Sequence, residues 1–341
     1  MKKVSILLAC LFAMSALFAQ QQTAILVHHD NTFNAYYGIN AFIQAHNAAQ
    51  PGETICLSAG DYNSCNITKS LTIRGNGIDG PVAERTYLTN NFNQRIQDST
   101  GTSNRYLDIE GVYIRGTLTS DSICEYITLN HCNIGCFYRW SGFPRRLTFI
   151  NCIVKEINSI GGSANDSIYA TCINSYVNNI QVNFNVHMFN CICYLHGADF
   201  DFYRRGIYQN CIIYGHPQGS YPPFYPYVYS RLDHCVVINT SDTNLFGYSS
   251  MHTGTNNVER TFSQVFTSFT GGDLDDQTSF ALTANAQTTL LGSDSTQVGI
   301  YGGVRPWTDA LTYPKITGMT VPHQTTGTGM LGVTVQIRQG E

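Results

Sequence analysis

Six cysteines, Cys132, Cys152, Cys172, Cys191, Cys211 and Cys235, recur at gaps of 20, 20, 19, 20 and 24 residues. A period near 20 is the mark of stacked structural units, so the chain reads as a solenoid before any single motif is weighed. Local context repeats with the cysteines, as in Phe149-Ile-Asn-Cys152-Ile-Val154 and Tyr208-Gln-Asn-Cys211-Ile-Ile213. Three residues before each cysteine stands an apolar or aromatic side chain: Leu129, Phe149, Tyr169, Met188, Tyr208 and Leu232. Two residues after it stand Ile134, Val154, Cys193, Ile213 and Val237, with Asn174 as the exception. Alternating inward side chains indicate strands, and a spacing of three before the cysteine indicates a corner between two short strands. The residue before the cysteine is Asn151, Asn190 or Asn210, with His131, Thr171 and His234 as variants. Asn tolerates the left-handed backbone that a one-residue corner needs.

Stacked strands lie about 4.8 Å apart, so the cysteines are expected to form an interior column. Parallel Cβ vectors one rung apart have the wrong geometry for disulfides, so free buried thiols are expected there. Paired C-x2-C spacings, which zinc sites require, are lacking. Cys56, Cys65, Cys124, Cys136 and Cys193 fall outside the column, and Cys56–Cys65 is a conceivable bridge.

Of 341 residues, 43% are hydrophobic and only 12% charged. That balance suits a β-rich solenoid and argues against disorder. Met1 to Ala19 reads as a secretory signal peptide, with Lys2-Lys3, an apolar run from Val4 to Phe18 and cleavage after Ala19. Leu7-Leu8-Ala9-Cys10 resembles a bacterial lipoprotein box, but the run from Lys3 to Cys10 is short for one. Without residues 1–19 the chain carries 17 basic and 23 acidic residues, a net charge of −6. Nucleic acid is thereby disfavoured as a partner. No later apolar run approaches the roughly 20 residues that span a bilayer. The expected location is secreted or cell-surface.

Residues 34–50 carry Ile39, Phe42, Ile43, Ala45 and Ala49 at near-helical spacing before Pro51-Gly52, which predicts a helix capping the open end of the solenoid. Alternating runs follow in Gly52-Glu-Thr-Ile55-Cys-Leu57 and Leu71-Thr-Ile73. This beginning, "GETICLSAGDYN" then "ITKSLTIRGNG", together with the Asn-Cys rungs, resembles secreted right-handed parallel β-helix proteins of the pectate-lyase-like class over about residues 30–305. The tail, "VGIYGG" then "YPKITGMTVP" and "LGVTVQIR", is similar to those of uncharacterised secreted Bacteroidetes proteins. The resemblance implies an all-β right-handed parallel β-helix over residues 20–305 and a short β tail over 306–341. It leaves the function open among lyases, glycosidases, esterases and adhesins. Leucine-rich repeats are the competing fold, but residues 155–167 show neither a leucine pattern nor a helical face. Between Ile78 and Tyr106 the pattern lapses, and irregular loops are expected. Phe262, Val265, Phe266, Phe269 and Phe280-Ala-Leu282 are expected to form the last coils.

Three insertions are expected to leave one side of the solenoid: Cys136 to Arg146, Gly197 to Arg205 and Gly215 to Tyr229. Their aromatic and cationic residues suggest a polysaccharide groove. Arg139, Trp140, Arg145, Arg146, Tyr203, Tyr221, Phe224 and Tyr225 are its candidate contacts, with arginine gripping carboxylates or sulfates. Asp199 and Asp201, about 7 Å apart on one face of an extended segment, form the best carboxylate pair for a glycosidase. With Arg204 or Arg205 they also suit a lyase, which would add Ca²⁺. Neither an Asp-Asp motif nor Gly-His-Gly occurs; Gly215-His216-Pro217 departs from the latter. His187, His196, His216 and His252 lack ligand-like spacing, so neither metal nor cofactor is expected. The expectation is a secreted or surface polysaccharide binder, with a polysaccharide lyase or glycoside hydrolase and a non-catalytic adhesin or structural protein as alternatives.

Overall fold

The computed structural model describes residues 22–96, 105–120, 124–139, 144–159, 169–181, 185–196, 206–216, 230–238, 254–271, 274, 278–308, 315–320 and 334–338. Two long sheets, each crossed once per turn, run the length of the chain as a parallel β-helix. Sheet A has 11 strands: β1 (Thr23–Val27), β2 (Phe33–Tyr37), β3 (Thr54–Leu57), β5 (Leu71–Arg74), β8 (Tyr106–Glu110), β10 (Cys124–Asn130), β12 (Pro144–Ile150), β15 (Tyr169–Ile173), β18 (Asn185–Phe189), β20 (Gly206–Gln209) and β22 (Ser230–Asp233). Sheet B is built from β4 (Gly60–Tyr62), β6 (Thr86–Leu88), β9 (Tyr113–Ser120), β11 (Asn133–Arg139), β13 (Ile153–Val154), β16 (Tyr176–Asn178), β19 (Ile192–His196), β21 (Ile212–His216), β23 (Val236–Ile238) and β24 (Val258–Arg260). Short strands β7 (Phe92–Gln94), β14 (Ile157–Ser159) and β17 (Ile180–Gln181) extend its far margin. Pairing from β3 onward is parallel in both sheets, and sheet B stands where a leucine-rich repeat would carry its helices.

Period-two alternation fills the interior. Ile109, Leu129, Phe149, Cys172, Met188, Tyr208 and Leu232 lie in register on successive rungs, all buried. Facing them from sheet B are Ile114, Ile134, Val154, Val177, Cys193, Ile213 and Val237, also buried. Burial of each such side chain contributes about 1.5–3 kcal/mol.

Between the sheets the chain turns on one left-handed residue. His131, Asn151, Asn174, Asn190, Asn210 and His234 have φ between 47° and 56°. Each donates its backbone N–H to the residue just before the next corner, for example Asn151 to Ile173 O at 3.0 Å and Asn190 to Gln209 O at 3.0 Å. One assignment is corrected here. The corner is Asn174, not Thr171, and the next residue, Ser175, takes the place held elsewhere by cysteine. Cys172 instead occupies the strand position of Phe149 and Met188. The column therefore runs Cys132, Cys152, Ser175, Cys191, Cys211, Cys235.

Polarity explains what this column selects. A side chain just past the corner meets bend carbonyls that already accept one backbone N–H, as Ile150 O does from His131 N at 3.0 Å, and offers them a second donor. Cys152 Sγ donates to Leu129 O and Ile150 O, both at 3.2 Å. Cys211 Sγ does the same to Met188 O and Gln209 O at 3.4 and 3.3 Å. Ser175 Oγ donates to Ile173 O at 2.9 Å and accepts the N–H of Cys152 at 3.0 Å. Asn257 closes the series by accepting from Cys235 N at 2.9 Å and donating to Leu232 O at 2.7 Å. A thiol fits because it is a small apolar volume that also carries a weak donor. The column cysteines are buried and unbridged, as are Cys172 and Cys193; Cys56, Cys65 and Cys136 are free and half-buried.

The predicted capping helix forms, but shorter. Helix α1 (Ala41–Ala48) buries Ala41, Phe42 and Ala45 against the first rungs. Residues 33–37 belong instead to β2, antiparallel to β1, because Phe33 to Tyr37 alternates between the hairpin's two faces. Ile39 lies outside the helix and is exposed. Residues 78–96 are also more regular than expected, since β6 and β7 continue sheet B.

The phenylalanines after residue 260 do not add coils. Helices α2 (Phe262–Val265) and α3 (Ala284–Thr289) and the chain from Leu290 to Thr308 lie on the outer face of sheet B. There Phe266, Phe269, Phe280, Leu282, Val298 and Ile300 enclose Tyr176, Ile192, Ile212, Tyr214 and Val236 in a second core. The stretch from 293 to 308 forms a strap along the corners. Ser293 N donates to Asn210 Oδ1 at 2.8 Å, Gly299 N to Asn210 O at 2.9 Å. Asn174 Nδ2 donates to Ile300 O and Gly302 O at 2.8 and 2.6 Å, and His131 Nε2 to Thr308 O at 2.9 Å. Gly303 passes so close to Asn190 that a Cβ would stand 2.7 Å from its Oδ1, and its φ of +74° suits glycine alone. Beyond the strap, β25 (Lys315–Thr320) and β26 (Thr334–Arg338) of the tail pair antiparallel.

Candidate functional site

A cleft of about 630 Å³ opens on the outer face of sheet B, between residues 78–85 and the strap. Its volume lies within the roughly 300–1,000 Å³ usual for ligand sites. The floor is made by Tyr113 and Arg115 of β9, Asn133 and Gly135 of β11, and Ile153 and Lys155 on the following rung. One wall is Ile78, Asp79, Val82, Arg85 and Tyr87; the other is Phe280, Ile300, Tyr301 and Trp307. Outward residues of consecutive rungs supply the floor, so its spacing is set by the strand separation of about 4.8 Å.

Two tyrosines hold two arginines in place. Tyr87 and Tyr113 are register partners with ring centroids 5.0 Å apart. Arg115 lies over the Tyr87 ring at 3.8 Å, and Arg85 over Tyr113 at 5.2 Å. Cation–π contact fixes the guanidinium planes without neutralising their charge. Arg85 is buried and donates through Nε to Gly80 O at 2.9 Å, which makes it part of the wall's framework. Arg115 is half-exposed and pairs with Asp61 at 3.2 Å, a contact worth well under 1 kcal/mol at that exposure. Lys155 is exposed and has no ion-pair or hydrogen-bond partner for its ammonium group among the described residues. Three cations thus line the cleft against one carboxylate, Asp79. Trp307 and Tyr301, both half-buried on the strap, supply apolar surface opposite them.

The residues singled out from sequence fare differently. Arg145 and Arg146 sit inside strand β12, not in a loop, and Cys136 to Arg139 belong to β11. Only residues 140–143 separate those strands, so the first insertion is far smaller than expected. Arg146 is exposed on the outer face of sheet A, in register with Tyr126 and Tyr169. That places it on a different sheet from the cleft. Arg139 ends β11 opposite Ser120 and Ser159. Gly215 and His216 extend β21 and do not begin a loop. Trp140, Asp199, Asp201, Tyr203, Arg204, Arg205, Tyr221, Phe224 and Tyr225 lie outside the described residues. The described aromatic cluster of Phe262, Phe266, Phe269, Phe280 and Tyr214 is packing, as its edge-to-face contacts at 5.0–6.0 Å show. Burial also pushes the Tyr214 phenol well above its ordinary range.

Sequence reasoning missed Arg115, Lys155 and the strap tryptophan Trp307. A signal was present: counted from the corner residue, Gly135 and Lys155 fall at the same outward position four residues on, and Arg115 falls there from Gly111. No group of three or more His, Cys, Asp or Glu able to hold a metal occurs among the described residues. No family model, curated protein or solved structure matches this chain.

Proposed function

We propose that this protein is a secreted or surface-exposed β-helix that binds polysaccharide in the cleft between sheet B and the strap. The observation that carries the reading is the cleft's composition: fixed cations on one side and half-buried Trp307 and Tyr301 on the other. A sugar ring offers apolar C–H faces to aromatic rings and hydroxyls to polar groups, so this pairing of surfaces suits it. A rigid stack of rungs presents these groups with little ordering cost on binding. The amino-terminal Lys2-Lys3 and apolar run support export. No helix among the described residues is long and apolar enough to cross a membrane.

A glycan array probed with residues 20–341 tests the reading. Retention of at least one polysaccharide class by the wild-type protein, lost in Trp307→Ala, is the expected result. Absence of any bound glycan, or binding indifferent to Trp307, would overturn it. Alanine at Asp199 and Asp201 separates binder from enzyme: binding without turnover of the retained glycan is expected in wild-type and variant alike.

A further inference from the structure

Resting on the reading of the cleft as a glycan site, we infer that its floor contains a subsite for an acidic group, the carboxylate or sulfate of a charged polysaccharide, centred over Gly135. The argument begins with a backbone irregularity. Strand β11 pairs with β9 in register up to Ile134 and Ile114, then shifts so that Cys136 meets Thr117. Arg115 and Gly116 therefore stand together opposite Gly135, as a bulge. Bulges re-aim the side chains that they carry, and this one sets Arg115 over Tyr87 at the cleft floor. Lys155 lies on the other side of Gly135, its backbone N–H bonded to Ile134 O at 2.9 Å. The two backbones thus flank a residue without a side chain, but the Arg115 guanidinium leans away over Tyr87 toward Asp61, which leaves Lys155 as the cation beside Gly135.

A side chain at Gly135 would be tightly confined. A Cβ there would come within 3.1 Å of the carbonyl oxygens of Arg115 and Gly116. The bulge itself thus keeps a bare notch beside Lys155. The carboxylates in reach are Asp79 on the wall and Asp61, which engages Arg115 from the opposite side. Neither neutralises Lys155. An anion over Gly135 meets the Lys155 ammonium directly, while the guanidinium groups held over Tyr87 and Tyr113 add positive potential further along the floor. Neutral glycans gain nothing from this arrangement, so the notch selects for charge.

The test is calorimetric titration of residues 20–341 with polygalacturonate, dextran sulfate and uncharged dextran. One or both charged polymers are expected to bind more tightly than dextran by tenfold or more, and the two polymers distinguish carboxylate from sulfate. Lys155→Gln is expected to weaken that binding about tenfold or more, the usual effect of losing a charge-assisted hydrogen bond. Lys155→Arg should retain it within a few-fold, and raised salt should weaken it. Thermal unfolding of Lys155→Gln, an exposed site, should match wild-type, which separates lost binding from lost fold. Equal affinity for dextran and the charged polymers, or Lys155→Gln binding as wild-type does, overturns the subsite while leaving the glycan reading in place. Binding of none of the three overturns the subsite, and the array then decides whether any glycan enters the cleft.

Discussion

Asn174 joins two jobs that Asn151, one rung earlier, does not combine, and removing its side chain separates them. It takes the left-handed turn at φ 47°, and its amide donates to two strap carbonyls, Ile300 O and Gly302 O. Asn151, one rung earlier, takes the same turn at φ 49° without a bond to the strap among the described residues. Glycine preserves the turn at either site, so Asn151→Gly should cost at most about 1 kcal/mol. Asn174→Gly loses two hydrogen bonds worth about 1 kcal/mol each, while Ile300 O keeps the Trp307 N–H, for a total of about 2–3 kcal/mol. Asn174→Ala adds the left-handed penalty of roughly 1–2 kcal/mol. The assay is urea unfolding in a Trp140→Phe background, where Trp307 on the strap is the remaining one of 2 tryptophans. Its fluorescence reports the strap, and far-UV circular dichroism reports the sheets. In Asn174→Gly the fluorescence transition should move to lower urea than the dichroism transition. If Asn174→Gly unfolds within about 0.5 kcal/mol of Asn151→Gly, with coincident transitions, the strap is not held as described here.

Three further outcomes follow from the same contacts. Cys152→Ala should cost about 1–3 kcal/mol, since a small cavity and the lost thiol donor add together, whereas Cys152→Ser should cost about half, following the precedent of Ser175; denaturant midpoints compare them. Burial pushes the Cys152, Cys172 and Cys211 thiols well above their ordinary value, so they should resist alkylation at pH 8 in the folded protein and react only in denaturant, as mass spectrometry would count. At Glu53, burial opposes ionisation, but bonds from the Gln50 N–H and from His28 outweigh it and hold its carboxyl below the ordinary 4.5. A depressed carboxylate stabilises above its unfolded value and loses that contribution as pH falls through the folded one. Glu53→Gln should therefore be less stable than wild-type at pH 7, and the gap should narrow in thermal melts as pH falls from 4.5 through the lower folded value.

The repeat was legible because one position per rung must satisfy two constraints at once, small apolar volume and a donor for bend carbonyls, and cysteine meets both. The same regularity misled at Cys172. Tyr169-Ala-Thr-Cys172 copies the cysteine's local surroundings, while the corner itself is written as Ile173-Asn174-Ser175-Tyr176. Serine does the thiol's hydrogen bonding, so a pattern read by residue identity slips where one read by chemistry holds. The capping helix was legible from Phe42 and Ala45, but not the hairpin before it, since Phe33 and Tyr37 carry no turn or period long enough to distinguish strand from helix. The cleft was the least legible feature. It depends on a bulge at Arg115–Gly116 and on a strap about 180 residues later in the chain. Neither leaves a local motif, whereas the aromatic-rich stretches that drew attention to a groove have a composition that packing alone can also produce.

Binding at the cleft is tested most directly by the emission of Trp307 in Trp140→Phe protein titrated with the glycan retained on the array. Occupancy of the floor beside the strap predicts a saturable spectral change with the same midpoint as the calorimetric heat, weakened in parallel by Lys155→Gln. Calorimetric binding that leaves Trp307 emission unmoved would put the ligand elsewhere on the molecule and contradict the account.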